Sequence, residues 1–93
     1  MDEELNPEIK KIVYSEEFER FLRRCKNKDH NLFEGIYRQI KKIIYEPNIG
    51  KPLRYTLKNR RRVHIGSFVL VYEFHNSELR FIDCDHHDKI YKK

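Results

Sequence analysis

The sequence predicts an α+β protein of order β-α-α-β-β-β, in which a helical hairpin packs on a twisted, mostly antiparallel sheet. Two observations support this class. Apolar residues in the first half of the chain recur at helical spacing, whereas those in the second half alternate with polar residues as in strands. The length of 93 residues suits a single domain spanning 1–93, with room for one small core.

The first half begins with a short β-branched strand at Ile9–Tyr14 and continues into a helix. Ser15 precedes Glu16 and Glu17, and a serine followed by acids is typical of a helix start, because the hydroxyl caps free amides and the acids complement the helix dipole. The polar run 26–30 ends this helix. Its apolar residues, which we expect to be buried, are Phe18, Phe21, Leu22 and Cys25.

A second helix is predicted to begin at Asn31, because Glu34 follows at the spacing of a capping box. Pro47 ends it. Its broad apolar stripe is typical of a core-facing surface rather than a ligand site, and the short polar loop before it predicts an antiparallel hairpin. The stripe consists of Leu32, Phe33, Ile36, Tyr37, Ile40, Ile43 and Ile44.

The second half is predicted to form three strands joined by tight turns. Basic and apolar residues alternate over 62–65, a strongly apolar strand covers 68–74, and another strand covers 79–84. Polar turns are expected at 59–60, 66–67 and 75–78. Strands with such short connections must be antiparallel neighbours.

Basic residues are concentrated in one segment of this half. The net charge is +5, and no acid occurs from Pro47 to Tyr72. This segment predicts an anion-binding surface, although a merely solvated face stays open at this point. The candidate RNA-binding residues are Lys51, Arg54, Lys58, Arg60, Arg61 and, near the C-terminus, His86.

Arg62, His64, His87 and Tyr91 are the candidate catalytic residues. If Val63 faces the helices, strand alternation turns Arg62 and His64 to the other side of the sheet. His87 and Tyr91 follow the final strand and can reach the same face. An imidazole transfers protons near neutral pH and arginine stabilises a charged phosphate transition state, so the set suits RNA cleavage without a metal or cofactor.

The sequence gives less support to other kinds of site. Asp85, His86, His87 and Asp88 have ligand side chains, but no further ligand cluster occurs at a recognisable spacing, so we expect no metal site. Cys25 and Cys84 lack a CxxC spacing. No signal peptide or membrane-spanning run is recognisable, so we expect a cytoplasmic protein that contacts no membrane and has two buried, reduced thiols.

Four segments in this order resemble the RelE/ParE toxin superfamily over nearly the whole chain. They are the opening strand with Ser15-Glu16-Glu17-Phe18, the link Pro47–Leu53, the double strand from Arg62 to Glu73, and the ending from Asp85 to Tyr91. The double strand is similar to the family pattern R-V-R-V-G-D-Y-R-V-I-Y-E, and the ending is similar to H-R-x-x-V-Y.

The resemblance implies a RelE-like fold and a toxin of a type II toxin–antitoxin pair. RelE-like members cut mRNA on the ribosome with basic residues and no metal, and an acidic RelB-like antitoxin holds them inactive. By position, Arg62 and His64 match the basic strand residues, and His87 and Tyr91 match the closing arginine and tyrosine. Val69 replaces a family arginine, whose role is either lost or taken over by Arg54, Lys58 or Arg61.

Two other functions stay open at this stage. A ParE-like gyrase inhibitor has the same fold but does not need proton-transferring residues on the sheet. A non-catalytic RNA-binding or ribosome-binding protein is the second alternative, and Val69 keeps it open. His64, His87 and Tyr91 favour the endoribonuclease.

Overall fold

The computed structural model describes residues 6–53 and 59–91, which form a mixed sheet with two long helices against one face. The elements are β1 (Lys11–Tyr14), α1 (Glu16–Lys28), α2 (His30–Tyr45), β2 (Lys51–Pro52), β3 (Arg60–Ile65), β4 (Phe68–His75), β5 (Glu78–His86) and α3 (His87–Ile90). The predicted α+β class is confirmed. The sequence did not predict β2 or α3, because elements of two and four residues are too short to show a period.

The strands are arranged in the order β1-β5-β4-β3-β2. All neighbours are antiparallel except β1 and β5, which run parallel with Lys11 opposite Glu78. The mostly antiparallel sheet is therefore confirmed. Asn76 and Ser77 both adopt positive φ angles, of 52° and 65°, as a two-residue hairpin turn requires.

Several strand boundaries differ from the predicted ones. β3 begins at Arg60 rather than Arg62, and β4 ends at His75 rather than Phe74. β1 begins at Lys11 rather than Ile9, because the Ile9 amide donates a hydrogen bond to the Asn6 carbonyl in a turn. β5 runs from Glu78 to His86 and so exceeds the predicted 79–84 at both ends. Its last residues are polar, and their strand pairing with β4 is not visible as an apolar pattern.

The predicted cap of α1 is confirmed and that of α2 is wrong. Ser15 Oγ accepts from the Phe18 amide at 3.0 Å and donates to the Ile82 carbonyl at 2.6 Å. At α2, Asp29 accepts from the Leu32 amide at 3.1 Å, so the helix begins at His30 and not at Asn31. The predicted polar loop over 26–30 is reduced to Asp29, which ends one helix and caps the next.

The main core lies between the helices and one face of the sheet. Most of the predicted apolar residues of α1 and α2 belong to it, but Tyr37 is 50% exposed, because the apolar stripe of α2 is wider than its buried face. In the described segments, no helix has the length and apolar character needed to cross a membrane. The fully or nearly buried members of the core are Phe18, Phe21, Cys25, Ile36, Ile40, Ile43, Leu70, Tyr72, Leu79, Phe81 and Cys84.

Candidate active site on the outer face of the sheet

Arg62 and His64 lie on the face of the sheet opposite the helices, which we call the outer face. Val63 and Ile65 pack against the helical core, as predicted, and alternation along β3 turns their neighbours to the other side. Lys51 of β2 pairs with Arg62 and therefore shares the outer face with it. His64 is exposed, whereas Arg62 is half-buried.

The end of β5 brings two further side chains to this region. After His86 the chain turns into α3, and the His87 amide donates a hydrogen bond of 2.8 Å to the Ser67 carbonyl. Ser67 lies in the turn between β3 and β4, directly after Ile65 and Gly66. This bond ties the start of α3 to the end of the strand that carries His64.

Four side chains then form a continuous row, which we call the His–Tyr–Arg row. The ring centroids of His64 and His87 are 6.0 Å apart, and those of His87 and Tyr91 are 4.8 Å apart in an edge-to-face contact. The guanidinium carbon of Arg62 lies 5.9 Å from the Tyr91 ring centroid. The structure therefore brings together all four residues that the sequence singled out as catalytic candidates.

A small apolar cluster holds α3 against the outer face. Ile90 packs on Val69 and Val71, and Leu53 and Ile82 border them. Val69, directly opposite His64 in the sheet, is fully buried. The residue that replaces the family arginine thus supports the helix turn that carries His87 and precedes Tyr91. This role was not predicted from the sequence, although Ile90, three residues after His87, was the available signal.

The candidate RNA-binding residues divide between two faces. Arg60 alternates with Arg62 and shares the outer face, as does Lys51. In the described part of the chain, the Nε atoms of Arg60 and Arg62 are buried and meet no hydrogen-bond acceptor. His86 is turned away from the row, with its ring edge-on to Phe68 at 5.7 Å. Arg54 and Lys58 lie outside the described residues.

Arg61 faces the helices and is separated from the His–Tyr–Arg row. Its guanidinium donates to the carbonyl of Gly50 at 2.7 Å and to that of Asn48 at 3.3 Å. Through these bonds the Arg61 side chain stabilises the loop that follows α2. The structure therefore does not bring Arg61 to the row, because alternation puts it on the other side of the strand from Arg62. A role for Arg61 in binding RNA stays a prediction.

Tyr72 holds the same loop from the core. Its hydroxyl donates to the Pro47 carbonyl at 2.6 Å and accepts from the Gly50 amide at 2.9 Å. A Cβ atom on Gly50 would lie 2.8 Å from the Arg62 carbonyl oxygen and from the Tyr72 hydroxyl, so only glycine allows this approach. The loop leads directly into β2, and Tyr72 thereby positions Lys51 beside Arg62. In the sequence, Tyr72 is recognisable only as part of an apolar strand.

Acidic side chains also lie near the site. Asp83 and Asp85 pair with Val71 and Val69 across the sheet, and each accepts a hydrogen bond from the amide of the next residue. The His87 Nδ1 atom lies 3.5 Å from the Asp88 carboxylate, which is largely exposed. Within residues 6–53 and 59–91, no three His, Cys, Asp or Glu side chains come together as a metal-ligand set.

Comparison with known proteins places this arrangement in a family. Residues 12–91 match the ParE toxin family of the parDE type II toxin–antitoxin system. A curated protein of Methanocaldococcus jannaschii, named as a candidate toxin RelE4, is 37% identical over 78 residues, which cover 81% of this chain and 83% of that protein.

Solved structures of low sequence identity share the fold. The YoeB/ParE toxin from Agrobacterium tumefaciens superposes with a TM-score of 0.75 at 20% identity, covering 84% of this chain and 99% of that one. The chain matched in the RelB–RelE antitoxin–toxin complex from Methanococcus jannaschii gives a TM-score of 0.67 at 18% identity, covering 86% and 95%. These likenesses confirm the predicted RelE-like fold.

Proposed function

We propose, from the premise that this chain belongs to the RelE/ParE superfamily of type II toxins, that it is an endoribonuclease that cuts mRNA on the ribosome. The observation that supports this most directly is the His–Tyr–Arg row on the outer face. It combines two imidazoles, a guanidinium and an exposed aromatic ring within one small region. A gyrase inhibitor has no need for paired proton-transferring groups, so the row favours cleavage.

The reaction needs two proton transfers and one charge to be stabilised. One imidazole of His64 and His87 takes the proton from a ribose 2′-hydroxyl, whose oxygen attacks the adjacent phosphorus. The other imidazole protonates the departing 5′-oxygen, leaving a 2′,3′-cyclic phosphate and a 5′-hydroxyl. With ring centroids 6.0 Å apart, both histidines lie within reach of one phosphodiester.

Arg62 and Tyr91 bind the RNA around the reacting bond. The Arg62 guanidinium stabilises the extra negative charge of the pentacoordinate transition state. The Tyr91 ring is 46% exposed and offers a surface on which a base stacks. Lys51 lies beside Arg62 on the edge strand and steers the RNA backbone toward the row.

An antitoxin is the proposed protein partner. The RelE structure from Methanococcus jannaschii is a complex with RelB, and other structures of this fold contain the antitoxins YefM and DinJ. For this chain we propose an acidic, RelB-like antitoxin that covers the outer face, because that face carries Lys51, Arg60 and Arg62.

The test is to add the purified protein to ribosomes programmed with a defined mRNA and to map the new 5′ ends. Cuts within the A-site codon are expected, and the variant with His64→Ala and His87→Ala should make none. His75→Ala is the matched control, because His75 is exposed at the far end of β4, where it contacts Asn59. Intact mRNA with the wild-type protein, or unchanged cuts with the double variant, would refute the proposal.

The same preparations separate the two alternatives. Purified gyrase and relaxed plasmid should be unaffected by the protein, and loss of supercoiling together with intact mRNA would favour the ParE-like inhibitor. Ribosome binding without cleavage and without gyrase inhibition would indicate the non-catalytic module.

A further inference from the structure

The helical layer carries a second concentration of positive charge, on the side of the molecule opposite the outer face. Between Arg20 and Tyr45 the sequence has eight bases and only two acids. All eight bases are exposed in the structure. We call them the helical basic surface, and they are Arg20, Arg23, Arg24, Lys26, Lys28, Arg38, Lys41 and Lys42.

The two acids of this segment are engaged locally. The Glu34 carboxylate lies 3.1 Å from His30 Nε2 on the next turn of α2. Asp29 caps α2 by accepting the Leu32 amide. The segment therefore has an excess of six positive charges, which extends from the second turn of α1 to the end of α2. The first turn of α1 is acidic, with Glu16, Glu17 and Glu19, and lies outside this surface.

An aromatic ladder runs along α2 within this surface. The rings of His30 and Phe33 are near-parallel with centroids 6.4 Å apart, and those of Phe33 and Tyr37 follow at 6.2 Å. The Lys41 ammonium lies 5.2 Å from the Tyr37 ring centroid. Tyr37 is 50% exposed although its ring is apolar, and Tyr45, two turns further on, is 77% exposed.

We propose that the helical basic surface binds the backbone of double-helical RNA. Arginine, lysine and tyrosine are side chains that contact phosphates and sugars, and A-form RNA is recognised through its shape, its phosphates and its 2′-hydroxyls. The bases are distributed over two adjacent helices. Such a distribution suits a partner with negative charges repeated along its length better than it suits a partner with a single carboxylate. The exposed tyrosines lie among these bases and supply the hydroxyl contacts.

This second surface lies on the side of the sheet opposite the His–Tyr–Arg row, so the protein can bind single-stranded RNA on one face and structured RNA on the other. Binding through the helices does not depend on cleavage. The inference can therefore hold even if the proposed nuclease activity fails, and the two are tested separately.

The experiment measures binding of a fluorescent RNA hairpin with a fully paired stem. All variants carry His64→Ala and His87→Ala to remove any cleavage. Adding Arg23→Gln and Lys41→Gln should weaken binding roughly tenfold and lower the slope of log Kd against log salt by nearly two, since each phosphate contact contributes about 0.9. Tyr37→Leu should weaken binding without changing that slope.

Two matched pairs serve as controls. Lys10→Gln with Lys11→Gln removes two exposed bases outside the helices and should change neither Kd nor slope. Lys51→Gln with Arg62→Gln alters the outer face and should spare hairpin binding while weakening binding of a single-stranded oligonucleotide. Circular dichroism confirms that each variant is folded.

Several results would overturn the proposal. They are absence of hairpin binding, an equal effect of the Lys10 and Lys11 substitutions, or loss of hairpin binding on changing Lys51 and Arg62. A polyglutamate peptide that displaces the hairpin at equal charge concentration, and loses affinity with Arg23→Gln and Lys41→Gln, would instead indicate an acidic protein as the partner.

Discussion

The guanidinium carbon of Arg62 lies 5.9 Å from the centre of the Tyr91 ring, which joins the middle of β3 to the residue that follows α3. Arg62 Nη1 also donates to the Pro52 carbonyl at 3.3 Å, so the same side chain contacts the edge strand β2. Arg62 therefore links the His–Tyr–Arg row to the segment that carries Lys51.

Replacing Arg62 by lysine should lower the cleavage rate about a hundredfold while keeping the charge. Lysine lacks the planar fork that contacts two phosphate oxygens and lies over an aromatic ring. The rate is measured in a single turnover on programmed ribosomes. Arg80→Lys is the control, since Arg80 pairs with Glu78 near the opposite end of β5. Equal rates for Arg62→Lys and wild type would contradict the role given to the guanidinium.

Replacing Val69 by the arginine of the family pattern should lower the stability of this protein and should not raise its activity. Val69 is fully buried beneath Ile90, so Val69→Arg would place a charge in an apolar cluster and lift α3 from the sheet. We expect a loss of about 3 kcal/mol in the free energy of unfolding, measured with urea. Ser67→Arg, at an exposed turn position, should stay within about 0.5 kcal/mol of wild type. A stable and more active Val69→Arg protein would refute this account.

The Tyr72 hydroxyl should contribute measurably to stability. Tyr72→Phe leaves the Gly50 amide and the Pro47 carbonyl without their buried partner, at a cost of about 2 kcal/mol in urea unfolding. Tyr45→Phe is the control, because Tyr45 is 77% exposed and should change little. Since the loop leads to β2, single-stranded RNA binding through Lys51 should weaken as well. Equal unfolding midpoints for the two variants would argue against a stabilising role of the Tyr72 hydrogen bonds.

The protein should lose stability in alkaline solution. Burial raises the pKa of the Cys25 thiol above its usual value of 9.0, with Asp29 adding to the effect and Arg24 opposing it. Burial likewise raises the pKa of Tyr72, whose usual value is 10.0. Above the unfolded pKa, the unfolded chain releases protons that the folded chain retains, so the free energy of unfolding falls as pH rises.

Urea midpoints measured from pH 7 to pH 10 check this expectation. The decline should begin near pH 9 and should be smaller in Cys25→Ala, which lacks the buried thiol. A midpoint that stays constant over this range in wild type would show that the pKa values of Cys25 and Tyr72 are the same in the folded and unfolded states.

The central part of the fold follows from local patterns that the sequence displays openly. Ser15 caps a helix by a short-range bond, and Val63 alternates with Arg62 within a single strand, so both could be predicted. The predicted start of α2 was wrong because Asp29 and Asn31 are both residue types that cap helices, and the cap is Asp29, which accepts from the Leu32 amide.

The residues of the candidate site could be predicted from the sequence, but the contacts that hold them in place could not. Alternation and position in the chain indicated Arg62 and His64. Two supporting interactions join segments that are distant in the sequence. Ile90 packs on Val69, and the Tyr72 hydroxyl forms hydrogen bonds with the loop before β2. No sequence period reports such contacts. Arg61 lies two residues before Val63, so alternation also turns it toward the helices, whereas its bonds to the loop after α2 again join distant segments.

The parallel pairing of β1 with β5 has a consequence for how the chain is made. Ser15 and Ile82, which this pairing brings together, are 67 residues apart in the sequence. During synthesis, β1 and α1 leave the ribosome long before the strand that separates β1 from β4 exists. Such long-range pairing slows folding. The nascent chain therefore has neither a complete sheet nor the His–Tyr–Arg row until β5 and the residues that follow it have been made.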